Sequence, residues 1–378
     1  MASQKMTKAE KSWIVYDVGN SALVLLATSV IPIYFSSLSP DGGVVVAWSY
    51  AETVASLIIA LLMPVLGSIA DMQGMKKKFI VGCVGTGVVA TVALGFVTAA
   101  LAFLIIYVIS SVALNSSMVF YDALLVDTTT DDRMDEISSQ GYAWGYIGSC
   151  VPFIACLGVV LGYEALGITL QTAMQIAFII TGAWWAVFTV PLLKNVQQRH
   201  FKPREPHAVS RAIRGLAGTL REIWANRAIR YYMIAYFFYI DGVHTIIKLS
   251  TSYGTELGID STQLVLALLV TQFVAFPSAI IYGRLSSIAI AAYFGITLFA
   301  AFFLRSAAEF WFLAILVGMF QGGIQALSRS EFGKLCPKER ANEYFGFFDI
   351  FGKYAAILGT FLVGTFTALT GNSSLGVL

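Results

Sequence analysis

Charge is what this 378-residue chain has least of. Asp, Glu, Lys and Arg together make up 12%, about half of the roughly 25% usual in soluble domains. So few charges cannot coat a water-facing surface, which excludes an ordinary soluble protein. Charge of one sign is also scarce: 24 basic against 22 acidic residues leave a net +2, too little for a nucleic-acid partner. There is no H-E-x-x-H, no glycine loop ending in the lysine that cradles a phosphate, and no soluble domain to bind ATP. Metalloprotease and nucleotide-driven chemistry are therefore excluded, and any work the chain does must draw on an ion or solute gradient. Cysteine is limited to Cys83, Cys150, Cys156 and Cys336, in or beside apolar segments and without pairing or metal-ligand spacing. They read as packing residues.

Long apolar runs are abundant instead. Hydrophobic residues reach 57% with a mean hydropathy of +0.76. A hydrocarbon core about 30 Å thick needs about 20 apolar residues at 1.5 Å each. That ruler predicts eleven spans: 12–37, 44–66, 79–99, 101–126, 137–162, 172–193, 229–253, 263–283, 287–304, 308–330 and 342–370. The first is too long for a signal peptide and reads as a retained span. The chain stops at Leu378 where a twelfth span is expected, and the ninth is minimal and follows Arg284 almost at once. The first suggests a twelve-span protein whose last helix is missing from this sequence; the second means either that the loop there has degenerated or that residues are absent. With the N-terminus in the cytoplasm, 21 of the 24 basic residues fall on inner segments, leaving Lys248, Arg305 and Lys353. That asymmetry predicts an N-in, multi-pass topology of the bacterial inner-membrane kind.

The linker 194–228 separates an N-terminal six-helix bundle (1–193) from an incomplete C-terminal bundle (229–378). Within it Val209, Ile213, Leu216, Leu220, Ile223 and Trp224 recur at helical spacing against Arg211, Arg214 and Arg221. This is the pattern of an interfacial helix, with tethering of the halves or a regulatory role as its two readings. The short loop between spans two and three reads Gly67-Ser-Ile-Ala-Asp71-Met-Gln-Gly74-Met-Lys76-Lys77-Lys78. It resembles the signature loop of the major facilitator superfamily, except that Met72 stands where that family carries Arg or Lys. A closer resemblance rests on Trp13 to Ala22, Tyr239 to Ile246, Gly322 to Arg329, Glu339-Arg-x-x-Glu343-x-Phe345-Gly346 and Gly352-Lys353. These look like the Atg22-like branch, which includes vacuole effluxers and bacterial relatives. The resemblance implies an all-α major facilitator fold of two six-helix bundles, alternating access, and amino-acid efflux in the vacuolar members. It also implies that Gly67, Asp71, Gly74, Lys76, Lys77 and the nearby Asp122 form a conformational gate, weakened by Met72.

Polar groups inside a bilayer are costly and mark pathways. Asp241 lies about 18 Å from the inner end of its span, and Asp241, His244 and Lys248 share a face at i, i+3, i+7. Together they could bind an anionic group or exchange a proton, or could form a structural cluster, with Lys248 snorkelling outward. Tyr239 precedes them, and Tyr16, Asp17 and Asn20 occupy the corresponding place in span one, as expected of repeated halves with solute bound between them. Asp349 and Lys353 are spaced for an ion pair that either neutralises itself or exchanges with solute. Glu52 falls near mid-depth, facing a cavity or a basic partner. Gln272, Gln321, Gln325 and Asn115 are ligands or interhelical glue. The acidic run Asp131 to Glu136 reads as a solvated loop, and the glycine series 82/85/87, 141/145/148 and 318/322/323 as helix packing.

The expected function is secondary transport of a small polar solute such as an amino acid, coupled to protons through Asp241 and Glu52. No cofactor or metal is expected, the coupling ion and lipid bilayer are the partners, and the protein is expected to act as a monomer. Two alternatives stand beside it. The 51 aromatic residues would also suit an exporter of amphipathic, drug-like or lipid-like molecules, and a non-transporting membrane sensor could retain the same fold.

Overall fold

The computed structural model describes residues 5–39, 44–256, 260–282, 295–296 and 307–370. The expected span 287–304 lies almost wholly outside them, as does the side chain of Lys248. Twelve α-helices are followed below: α1 (Lys8–Leu38), α2 (Val44–Ala70), α3 (Lys76–Leu94), α4 (Ala100–Ala123), the single turn α5 (Leu125–Thr128), α6 (Met134–Leu161), α7 (Leu170–Asn195), α8 (Ala208–Ala225), α9 (Arg227–Glu256), α10 (Ser261–Tyr282), α11 (Ala307–Leu335) and α12 (Ala341–Thr370). No β-strand occurs among the described residues, only an isolated bridge between Met72 and Lys202. Among the described residues, eight helices are long and apolar enough to cross a membrane: α1 to α4, α6, α7, α10 and α11.

Boundaries differ from the apolar runs where polar residues supply the helix end. α1 starts at Lys8, four residues ahead of the apolar run, because Thr7 and Glu10 form a capping box. The Thr7 hydroxyl accepts the Glu10 N–H at 3.2 Å and the Glu10 carboxylate accepts the Thr7 N–H at 2.7 Å, which satisfies two otherwise orphaned donors. Glu10 also accepts the Thr129 hydroxyl at 2.7 Å. Between the end of α7 and the start of α9, the linker is helical over Ala208–Ala225.

The chain forms two compact units that do not follow its sequence halves. The first comprises residues 1–130, 144–216 and 337–347, and the second 131–143, 217–336 and 348–378. In the first, α1 packs on α7, α3 on α4 and α7, and α2 on α4. Its buried centre stacks Trp13 on Tyr121 at 4.4 Å, and the Trp13 indole donates to the Tyr121 carbonyl at 3.0 Å. The second pairs α10 with α11 and α9 with α11, around Tyr236, Phe332 and Phe348, whose rings stack at 4.0 and 4.5 Å.

Glycine decides where backbones meet. A Cβ on Gly67 would lie 2.4 Å from the Asn342 carbonyl oxygen, and one on Gly346 would lie 2.9 Å from that of Met63. The end of α2 and the start of α12 therefore touch backbone to backbone. Gly74 has φ +72°, a conformation in which any side chain is strained.

Candidate functional site

The first unit contains a buried polar cluster where the end of α2 meets the start of α12. Asp71, fully buried at the end of α2, accepts the Asn342 N–H at 2.9 Å and side-chain amide at 2.8 Å, and the Glu343 N–H at 3.0 Å. These amides open α12, so the carboxylate sits on orphaned donors at the positive end of a helix. Burial pushes the Asp71 carboxyl up to about 6, partly offset by Lys76 and by the Asn342 and Glu343 hydrogen bonds. The ammonium of Lys76 pairs with Asp127 at 2.6 Å, both side chains wholly buried. Asp71 has the α12 amides, and the buried Lys76 charge goes to the carboxylate that α5 places beside it. Lys77 donates to the Leu193 carbonyl at 2.9 Å, and Lys78 is exposed.

In the second unit the start of α6 is joined to the end of α11. Lys334 Nζ lies 2.7 Å from both Asp135 oxygens, and the Ser330 hydroxyl donates to Asp135 at 2.6 Å. The buried Arg329 donates to the Ser138 hydroxyl and carbonyl, each at 2.9 Å, and lies over the Tyr142 ring at 4.3 Å. The run 131–136 is thus not a solvated loop throughout, since Asp135 is bound by a neighbouring helix.

The polar residues of the spans fall into separate groups. On α1, the buried Tyr16 donates to Ser117 at 2.9 Å, and Asp17 accepts the Tyr121 hydroxyl at 3.1 Å. Asn20 is fully buried with Nδ2 unpartnered. On α2, Glu52 accepts from the Tyr107 hydroxyl, and Trp48 packs on the Tyr107 ring at 4.3 Å. Among the described residues the hydrogen bond of the half-buried Glu52 comes from this phenol and not from a basic side chain. Asp241 and His244 are half-buried on α9. Tyr239 shares a 2.6 Å hydrogen bond with the Ser328 hydroxyl, and Tyr232 donates to the Ser328 carbonyl at 2.8 Å. Asp349 and Lys353 form the expected i, i+4 pair at 2.6 Å. Gln272 and Gln321 are buried, Gln325 half-buried, and Asp122 is half-buried near the end of α4.

Sequence reasoning does not find the contacts of Asp127, Lys202, Asn342, Arg329 and Lys334; of these, Asn342 falls inside a run that the sequence marks, Glu339 to Gly346, and Arg329 ends another, Gly322 to Arg329.

The model of the family described as "Vacuole effluxer Atg22 like" matches residues 45–378. The MFS-type transporter YxiO of Bacillus subtilis (strain 168) is 43% identical, the alignment covering 99% of this chain and 92% of that protein. Among solved structures, the major facilitator superfamily transporter FucP in the outward conformation superposes with a TM-score of 0.70 at 13% identity, covering 98% of this chain and 94% of FucP. The human organic anion transporter MFSD10 gives 0.67 at 13% identity, covering 98% and 96%. At such identities the two structures speak to the fold.

Proposed function

The chain belongs to the Atg22-like vacuole effluxer family of MFS-type transporters, and from that premise we propose that it moves a small polar solute, amino acids being the first class to test, by proton-coupled alternating access. The observation that supports coupling is Glu52. It is a carboxylate inside a membrane-spanning helix whose hydrogen-bond partner among the described residues is the Tyr107 phenol rather than a cation. A carboxylate so placed can gain and lose a proton without breaking an ion pair, which is what a relay site requires. Asp241 and His244, on one face of α9, are the second candidate relay. The Asp349–Lys353 pair offers both charges of a zwitterion's complement, 2.6 Å apart.

The cycle then has two parts. Within the first unit, Asp71 on the α12 amides keeps the end of α2 on the start of α12. Proton uptake at Glu52, in that unit, and solute binding at Asp241 or Asp349, in the other, favour its release. Purified protein in liposomes, given a pool of labelled amino acids and an imposed pH gradient, should accumulate label. Accumulation should stop on collapsing the gradient and in Asp241→Asn or Glu52→Gln. Uptake indifferent to the gradient and to both substitutions would overturn the coupling.

A further inference from the structure

The loop between α2 and α3 lacks a basic side chain at Met72, yet a lysine is present there in space. Beyond α7, the linker segment 196–204 crosses this loop, and Lys202 forms a parallel bridge with Met72. The Lys202 N–H donates to the Asp71 carbonyl at 2.8 Å, and the Gln73 N–H to the Lys202 carbonyl at 3.0 Å. Gln198 fastens the same loop, accepting the Gly74 N–H at 2.9 Å and donating to the Met72 carbonyl at 3.1 Å. The segment is also tied to the buried Lys76–Asp127 pair: Asp127 Oδ1 accepts the N–H groups of Arg199 and His200 at 2.8 and 2.7 Å.

From this platform Lys202 Nζ reaches Glu343 Oε2 at 2.7 Å. A ring of three bonds results. The Asp71 carboxylate holds the Glu343 amide, the Glu343 carboxylate holds the Lys202 ammonium, and the Lys202 amide holds the Asp71 carbonyl. Arg340 also approaches Glu343, at 3.2 Å, but it lies three residues away in the turn leading into α12 and moves with that helix. Lys202 is the cation that joins Glu343 to the loop. With Glu343 almost wholly buried and Lys202 only a quarter exposed, water screens this pair less than a surface one.

We propose that Lys202, delivered by the linker, is the basic element of the inner gate that the loop itself lacks at Met72. The linker is therefore a working part of the gate rather than a tether, and Asp71 cannot leave α12 without the Lys202–Glu343 pair breaking as well. This rests on reading Asp71 as the gate but on no particular solute.

The test is hydrogen exchange of the full chain in lipid nanodiscs, which needs no solute and so separates failure of the gate from failure of the transport reading. Lys202→Glu and Glu343→Lys should each speed exchange about tenfold or more in both 196–204 and 337–347. The double exchange Lys202→Glu/Glu343→Lys should return both segments toward the wild-type rate. Lys202→Met, which removes charge without reversing it, should loosen the same two segments by less, with the thermal midpoint little changed. Asp71→Asn should loosen them too, and adding Lys202→Met to it should have little further effect. Unchanged exchange at 337–347 in both Lys202 variants, or a double exchange no better than the worse single variant, would overturn the proposal.

Discussion

At the scale of single residues, the proposed latch hinges on carboxylates whose partners are fixed by burial. The Asp71 carboxyl is raised to about 6 from an unfolded value near 3.9. Because the folded value is the higher one, its contribution to stability is fully present below about pH 4 and is lost as pH rises through about 6. Between pH 8 and pH 5 the wild type should therefore gain stability relative to Asp71→Asn, by about 1.4 kcal/mol. Paired thermal-unfolding profiles against pH would show it, and parallel profiles would contradict it. Asp127 makes a different prediction. Removing one member of a buried pair costs about 3–5 kcal/mol. Asp127→Leu should cost more than Lys76→Met, because it also orphans the amides of Arg199 and His200. Their unfolding midpoints in detergent decide the order.

At this scale the sequence was readable where the spacing was local. The i, i+4 relation of Asp349 and Lys353 predicts the ion pair that forms. Lys76 was not readable, since its choice between Asp71 and Asp127 depends on the α12 amides more than 260 positions away, which claim Asp71 first.

At the scale of elements, helix existence followed from apolar length, because a bilayer leaves the backbone few alternatives. Helix ends did not, since caps are polar and local: α1 begins at its Thr7–Glu10 box and not where hydrophobicity begins. Glycine spacing was equally blunt. The 82/85/87 series looks uniform in sequence, yet a Cβ at Gly82 or Gly85 would meet nothing within 4 Å, whereas one at Gly87 would lie 2.5 Å from the Trp185 ring. Gly87→Ala should lower the unfolding midpoint, by an overpacking cost of about 1–3 kcal/mol, while Gly82→Ala and Gly85→Ala leave it unchanged. Gly67→Ala tests the latch directly: its methyl would meet backbone, not a movable side chain. Exchange at 337–347 should rise with the fold otherwise intact, and protection equal to wild type would refute the close approach of α2 and α12.

At the scale of the whole molecule, the class of protein was legible from scarce charge, long apolar runs and the α2–α3 loop. The membership of the two compact units was not. Residues 337–347 join the first unit and 131–143 the second, through polar contacts between positions about 190 to 270 apart, such as Ser138 with Arg329 and Asp71 with Asn342. No periodicity reports pairings of that kind. The linker is the other case: its amphipathic helix could be read, but the preceding extended segment, held by backbone bonds to the loop, leaves no pattern in side-chain types.

The most direct test of the whole account is proton movement itself. Liposomes containing the protein and an entrapped pH-sensitive dye would be exposed to individual unlabelled amino acids with no gradient imposed. The account predicts that at least one solute shifts the internal pH in wild type, that the shift vanishes in Asp241→Asn and Glu52→Gln, and that Lys202→Met alters its rate. Solute entering at equal rates in wild type and both carboxylate variants, with no change of internal pH, would contradict it.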